Sequence, residues 1–211
     1  MKKLLSILLI LVTGFSDVAV SQENNQKLEF GEVKLLPATI NSKAEEILPV
    51  LSADGERIYF VRAAHQKNIG GMLGAQDIWY SDRDKEGNWQ EAKNFRKFNN
   101  KGNNAVVGVD HQSGRLYLIN SYEDNLGSRS GLSYSDPKDG DWALPVVTKI
   151  EKVYNRSASN DIYGLSINKE SDVLLISMKG EHSVGSEDLY VSFKFTGWNR
   201  YHQAAEDSQK E

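Results

Sequence analysis

The stretch LSADGERIYF (residues 51–60) recurs twice at a constant spacing, and this repeat decides the fold. It returns as VDHQSGRLYL at residues 109–118 and, more weakly, as INKESDVLLI at residues 167–176, a spacing of 58 residues each time. Each copy is followed by a polar or Gly-rich loop, a second strand-like run, a polar turn and a tryptophan. A fixed period of this kind indicates structural units that stack side by side.

Within the first unit, polar and apolar residues alternate with a period of two, which is typical of strands. Asp54-Gly55 predicts a hairpin turn, because glycine tolerates the positive φ that such a turn needs. A third strand is expected at residues 78–81 and a fourth from Trp89 onward. Four short antiparallel strands make one β-propeller blade. The sequence therefore predicts an all-β chain with about three four-stranded antiparallel blades, a partial or open propeller, with blades at about residues 44–98, 103–150 and 160–200.

The first unit also resembles a known repeat. The residues that carry the resemblance are EILPVLSADG (46–55), IYF (58–60), GAQDIWY (74–80) and GNW (87–89). They are similar to the TolB-like, WD-repeat-like β-propeller repeat, and the resemblance covers residues 28–200. The second unit has Gly131 where the first has Asp77, and the third unit loses the Asp-Gly turn. The resemblance implies a propeller of the Gram-negative envelope type. In that family the repeat often precedes a peptidoglycan-binding OmpA-type domain. We expect no such domain after Trp198, so the resemblance is not extended to peptidoglycan binding.

The N-terminal residues predict export. Lys2 and Lys3 precede an apolar run at residues 4–12, and the small residues of Ala19-Val20-Ser21 offer a cleavage site. We expect residues 1–21 to be a signal peptide and the mature protein to lie in the periplasm, at the outer membrane or outside the cell. The chain has no cysteine, which excludes a lipoprotein anchor, disulfides and thiolate metal sites.

Charge and hydropathy exclude two further classes. The net charge of −4 argues against a nucleic-acid partner, which needs a clustered positive surface. After the signal peptide no stretch is apolar enough to cross a membrane, so we expect no transmembrane segment in the mature chain. Residues 201–211 are expected to form a polar tail.

An array of three blades leaves open how the outer faces of its first and last blades are covered. Residues 28–41 are expected to form a stray outer strand, but they do not supply a fourth blade, and propellers close with four to eight. The chain is then a fragment of a longer propeller, closes by self-association, or remains an open arc against a partner. Unpaired strand edges near residues 47–51 and an apolar surface around residues 174–176 favour association.

Loops on one side of the blades are the expected binding face, since function concentrates in loops held by a rigid scaffold. The candidate ligand-face residues are His65, Asn103, Asn104, Asn125, Arg129, Asn160, Asp161 and His182. The four histidines are scattered, with no cysteine nearby, so we expect neither a metal site nor any cofactor.

The sequence contains no nucleophile elbow, phosphate-binding loop or dinucleotide fingerprint, and we predict no catalytic residues. The turns at residues 81–89 and 135–142 resemble the aspartate boxes of sialidase propellers, where those boxes stabilise turns. We therefore expect a non-catalytic scaffold that binds a protein or glycan partner in the bacterial envelope. The alternatives are a propeller-type glycoside hydrolase or lyase, and a truncated propeller fragment without its own ligand.

The signal-peptide prediction is tested by the mature N-terminus. We expect cleavage between Ser21 and Gln22, because this is the small-residue site that follows the apolar run. Mass spectrometry of the exported protein measures it directly. An intact Met1, or an exported form that needs detergent to remain in solution, would contradict the prediction.

Overall fold

The computed structural model describes residues 29–122, 131–150, 162–179, 183–185, 187–194 and 200–203. Contacts divide the chain into two compact units, Met1–Leu35 and Leu36–Glu211, and the strands of the described residues lie in the second. That unit is all-β, with open sheets and, in the described part of the chain, only two short 3-10 helices, Gly71–Leu73 and Arg96–Phe98. Three four-stranded antiparallel blades follow one another, which confirms the predicted fold class.

Blade 1 is a single antiparallel sheet. Its strands, in spatial order, are β1 (Glu45–Leu51), β2 (Arg57–Ala63), β3 (Asp77–Asp82) and β4 (Lys93–Asn94). The predicted turn connects β1 to β2: Gly55 has a φ of 75°, and its N–H donates to the carbonyl of Ser52 over 3.0 Å. Glycine adopts this left-handed conformation without steric cost, so the turn fixes the register of the first two strands.

Blade 2 repeats this plan with one addition. Its four main strands are β5 (Val106–Val109), β6 (Leu116–Ile119), β7 (Leu132–Ser135) and β10 (Val146–Ile150). A small hairpin, β8 (Pro137–Lys138) and β9 (Asp141–Trp142), is inserted between the third and fourth strands. The corresponding place in blade 1 has a single bridge, between Arg83 and Trp89.

Blade 3 consists of β11 (Ile162–Ile167), β12 (Val173–Met178), β13 (Asp188–Lys194) and β14 (Arg200–Gln203). Its outer strand β14 pairs in parallel with β10, the outer strand of blade 2. The two blades therefore form one continuous eight-stranded sheet, whose order is β11-β12-β13-β14-β10-β7-β6-β5. None of the sheets of the described residues closes on itself.

The blades are held together by their apolar faces. We call the face of a blade that is directed towards the preceding blade its entry face, and the face directed towards the next blade its exit face. Tyr59 and Ile78 on the exit face of blade 1 share one buried cluster with Leu116 and Leu118 on the entry face of blade 2. Burying a large apolar side chain contributes roughly 1.5–3 kcal/mol, so this contact is a main source of stability.

The contact between blades 2 and 3 has the same form. Tyr117 and Leu132 on the exit face of blade 2 meet Leu174 and Ile176 on the entry face of blade 3. All four side chains are at most 3 % exposed. The expectation of an exposed surface around residues 174–176 is therefore wrong for Leu174 and Ile176. Only Leu175 between them is exposed, because neighbouring residues of a strand point to opposite faces.

The entry face of blade 1 is covered by the segment that precedes it. Ile40 is 2 % exposed and packs with Ile58, Phe60 and Trp79. The described part of the expected stray strand, residues 29–41, contains no strand. Residues 38–40 form a turn after Pro37, whose carbonyl accepts the N–H of Ile40 over 2.9 Å. Ile40 and the turn around it thus cap blade 1, and the turn replaces the extended run that a strand ladder requires.

The repeated tryptophans lie just before the outer strands. Trp89 packs against the Ile40 cluster of its own blade, with the guanidinium of Arg83 4.3 Å from its ring. Trp142 instead contacts the preceding blade, with its ring centroid 6.5 Å from that of Phe95 and 6.1 Å from that of Phe98. Trp198 lies outside the described residues.

The inner strands of blades 2 and 3 approach each other closely. A Cβ atom built on Gly108 in β5 would lie 2.1 Å from Cγ2 of Ile167 in β11. The absence of a side chain at residue 108 is therefore what lets these two strands come together. Gly164 in β11 also follows a bulge, but there the nearest atom to an added Cβ is the Cβ of Ser177 at 3.6 Å.

We expect Gly108→Ala to lower the free energy of unfolding by roughly 1–3 kcal/mol, because the methyl group overpacks the contact with Ile167. Gly164→Ala is the matched control and should be neutral or stabilising by up to about 1 kcal/mol, since its Cβ makes ordinary contacts. Urea unfolding of both variants measures the difference. Equal effects of the two substitutions would show that the inner strands are not in contact at Gly108.

Candidate functional site

The exit faces of blades 1 and 2 carry the same pair of charged residues. In blade 1, Nε of Arg57 in β2 donates to Oδ1 of Asp82 in β3 over 2.5 Å, and the guanidinium lies 4.5 Å from the centroid of the Tyr80 ring. In blade 2, Arg115 donates to both carboxylate oxygens of Asp136, over 2.6 and 2.9 Å. This charge-assisted bond raises the pKa of Arg115. The pair fastens the second strand to the third at the same place in both blades.

Blade 3 replaces these residues with apolar ones. Val173 stands at the repeat position of Arg57 and Arg115, and its partner across the strands is Phe193. Leu175 stands where the first two blades have Tyr59 and Tyr117. The exit face of blade 3 therefore has no ion pair between its second and third strands.

This exit face is exposed. Residues that are paired directly across strands share a face. The exit-face residues of β12 and β13 are therefore Val173, Leu175, Ser177, Leu189, Val191 and Phe193. Leu175, Leu189 and Phe193 keep 53 %, 84 % and 49 % of their surface exposed. The residues of blades 1 and 2 that correspond to Leu175 and Leu189 are buried between blades: Tyr59 and Ile78 in blade 1, Tyr117 and Leu132 in blade 2. The apolar surface that is covered in those blades is open to solvent in blade 3.

A second feature is a cleft of about 410 Å³ between blades 1 and 2. Its lining includes Ser52, Asp54, Arg57, Asp82 and Trp142. The polar groups are bonded to one another: Asp54 accepts from the Ser52 hydroxyl over 2.6 Å and from the N–H of residue 56 over 3.0 Å. The hydroxyl bond, then the backbone bond, holds the pKa of Asp54 below its usual value. The polar groups of Asp54 and Arg57 are therefore used within blade 1, in the turn between β1 and β2 and in the bond to Asp82.

Of the predicted ligand-face residues, Asn104 has an internal structural role. Its side chain is fully buried, donates to the carbonyl of Gly102 over 2.7 Å, and accepts from Nδ2 of Asn120 over 3.1 Å. Asn103 is exposed, and its carbonyl accepts from the same Nδ2 over 2.6 Å. These bonds fix the loop between blades 1 and 2 to the second strand of blade 2.

His65 belongs to a different set of contacts. Its Nδ1 accepts the N–H of Lys67 over 3.1 Å, and its ring packs edge-on against Trp79 at 4.6 Å between centroids. These contacts of His65 lie within blade 1, whereas Asn103 and Asn104 are bonded in the loop that leads to blade 2. The other five candidates, Asn125, Arg129, Asn160, Asp161 and His182, lie outside the described residues, and their role stays a prediction.

The sequence reasoning missed Val173, Leu189 and Phe193, which define the exposed face. A signal for them was present in the repeat: the series Arg57, Arg115, Val173 at one spacing shows that the third unit loses the charged residue. The loss of arginine at this repeat position in the third unit therefore marks the apolar face.

Within the described part of the chain, no three histidine, aspartate or glutamate side chains come together in a way that could hold a metal ion. The same residues include no helix that is both long and apolar enough to span a bilayer. A scan against protein-family models finds no match, and a search of curated proteins finds no significant relative. The TolB-like resemblance therefore stays a prediction based on the quoted residues.

His65 gives the structure a dependence on pH. Burial, then the positive charges of Arg62 and Lys67, lowers the pKa of His65 below its ordinary value near 6.5, against the opposite effect of Glu46. The His65 imidazole binds a proton more readily in the unfolded chain than in the folded one. The stability contributed by neutral His65 is therefore present above about pH 6.5 and is lost as the pH falls below it.

We expect the urea midpoint of the wild type to fall more than that of His65→Gln between about pH 7.5 and 5.5. Protonation of Nδ1 removes the acceptor of the Lys67 N–H, whereas glutamine does not titrate. Urea unfolding at the two pH values measures the difference. The same fall in both proteins would assign the pH dependence to other groups.

Proposed function

We propose that this chain is an exported, non-catalytic β-propeller scaffold that binds a protein partner in the bacterial envelope through the exit face of blade 3. The observation that supports the proposal is the exposed, uncharged surface formed by Leu175, Leu189 and Phe193. Exposed patches of apolar side chains on a folded domain are typical of protein interaction sites. Export is part of the proposal because of the N-terminal signal pattern.

The energetics favour an occupied face. Full burial of a leucine or phenylalanine side chain contributes roughly 1.5–3 kcal/mol. Leu189 is 84 % exposed, so burial by a partner would add most of this free energy. For Leu175 and Phe193 the same burial would add about half of it. A partner that covers all three would gain several kcal/mol before the cost of association is subtracted.

A protein fits this face better than a glycan. Sugars are recognised by aromatic rings together with planar polar groups, whereas the six side chains of the face in β12 and β13 include one ring, one hydroxyl and no charge. None of these six side chains can serve as a general acid or base at neutral pH, so the proposal gives them no catalytic role. The polar cleft between blades 1 and 2 supports neither alternative, since Asp54 accepts from Ser52 and from the N–H of residue 56, and Asp82 accepts from Arg57.

The test uses a variant in which blade 3 regains the ion pair of the other blades. In Val173→Arg/Phe193→Asp the new residues are directly paired across β12 and β13, as Arg57 and Asp82 are paired across β2 and β3. The sheet should therefore retain its fold while the apolar face is interrupted. Leu73→Ser is the control, because Leu73 is fully exposed and lies in the first blade.

We expect the wild type and Leu73→Ser to retain the same protein from a detergent extract of the source organism's envelope, and the double variant to lose it. The lost contacts are apolar, so retention should persist at high salt. Affinity capture with mass spectrometry identifies the protein, and titration of that purified protein measures binding. Equal binding by all three chains would place the interaction elsewhere and refute the proposal.

A further inference from the structure

The hairpin formed by β8 and β9 stands apart from the four main strands of blade 2 and reaches the neighbouring blade 1. We infer that this hairpin is a latch. It holds blades 1 and 2 together at one end of their contact, and its release lets the two blades open there while both remain folded. The latch is separate from the proposed partner site, since it makes no use of the exit face of blade 3.

The hairpin is not part of the strand ladder of blade 2. Its two strands form a sheet of their own, while β7 pairs directly with β10. Residues 137–141 are all exposed, and Asp139 and Gly140 make the turn with φ of 50° and 77°. In blade 1 a single bridge between Arg83 and Trp89 takes the place of the hairpin. A blade of this kind therefore forms without the hairpin, and what the hairpin adds is contact with blade 1.

The two residues of β9 fasten the hairpin to the 3-10 helix that follows β4. The ring centroid of Trp142 lies 6.1 Å from that of Phe98, which is fully buried. In the same 3-10 helix, Nζ of Lys97 donates to Oδ2 of Asp141 over 2.5 Å and also to the carbonyl of Trp142. An ammonium group has three N–H donors, so it binds both acceptors at once. One lysine side chain thus holds two successive residues of the hairpin.

The contact between blades 1 and 2 is closely packed at one end and open at the other. At the packed end, Ile78 and Val106, near the first residues of β3 and β5, are buried in the shared cluster. The open end is the cleft of about 410 Å³. Its lining includes Asp82 and Val109, the last residues of the same two strands, together with Trp142 of the hairpin. The blades can therefore separate at the cleft and pivot about the packed end.

The fastening is weak enough to be released. The side chains of Lys97 and Asp141 are 29 % and 67 % exposed, so water and dissolved ions compete for both charges. The junction between blades 2 and 3 differs, because β10 and β14 pair there through the backbone. Salt should therefore favour the opening of blades 1 and 2 and leave the junction of blades 2 and 3 unchanged.

A thiol in the cleft measures the opening, since the native chain has no cysteine. Val109→Cys changes a cleft residue that is 5 % exposed, so a maleimide should reach the thiol when the blades separate. In this background, Lys97→Met removes both bonds of the latch, and Asp141→Asn removes the charge that Lys97 binds. Asp139→Asn is the matched control, because it lies in the exposed turn of the same hairpin and asparagine adopts its left-handed backbone readily.

We expect labelling to be about threefold faster with Asp141→Asn, faster still with Lys97→Met, and unchanged with Asp139→Asn. Sodium chloride at about 0.5 M should accelerate labelling of the Val109→Cys chain but not of its Lys97→Met form. Met178→Cys places a thiol in the buried cluster between blades 2 and 3, where neither salt nor the hairpin substitutions should change the rate.

Urea unfolding of each variant checks that the chain remains folded. Equal labelling of the Asp141→Asn and Asp139→Asn forms, or labelling that salt does not change, would overturn the inference. Rapid labelling of residue 109 in every chain would show a cleft that is open without release of the latch, with the same consequence. A parallel change at residue 178 would indicate general loosening of the fold and would also refute a latch between blades 1 and 2.

Discussion

The fold depends on apolar contact between the faces of consecutive blades. A four-stranded sheet of this size has two apolar faces and cannot bury both of them alone. Blade 2 is the one blade with a neighbour on each side, through Leu118 on its entry face and Tyr117 on its exit face. Blades 1 and 3 each have a neighbouring blade on one side, and their other apolar face differs between the two. Blade 1 uses Ile40 from the segment before it, and blade 3 leaves its last face exposed.

Much of this arrangement could be predicted from the sequence. The Asp54-Gly55 turn and the period-two alternation of β2 predict antiparallel strands, because both depend on local backbone preferences. The spacing of 58 residues predicts that these strands repeat as blades. The boundaries were less predictable. The fourth strand of blade 1 begins at Lys93 rather than at Trp89, since a hairpin-like bridge between Arg83 and Trp89 comes first.

The site was harder to predict, for a physical reason. Asn104 is of a residue type that often binds ligands, yet the hydrogen bonds of its side chain hold a loop in place. Nothing in a single sequence distinguishes such an internal amide from an exposed one. Conversely, Leu175 and Leu174 are the same amino acid in adjacent positions, and only the presence or absence of a neighbouring blade makes one exposed and the other buried. Exposure is a property of the assembled array.

The parallel pairing of β10 with β14 has a consequence for the way in which the chain comes apart. Lys149 and Ile150 are bonded to residues about fifty positions later in the chain, so blades 2 and 3 are joined by a backbone ladder as well as by side chains. Blade 1 is joined to blade 2 mainly through side-chain packing. This difference leads us to expect two cooperative units of unequal size, in the sense used for foldons. Loss of the first blade need not unravel the larger unit, whereas melting either outer strand of that unit removes hydrogen bonds from both of its blades.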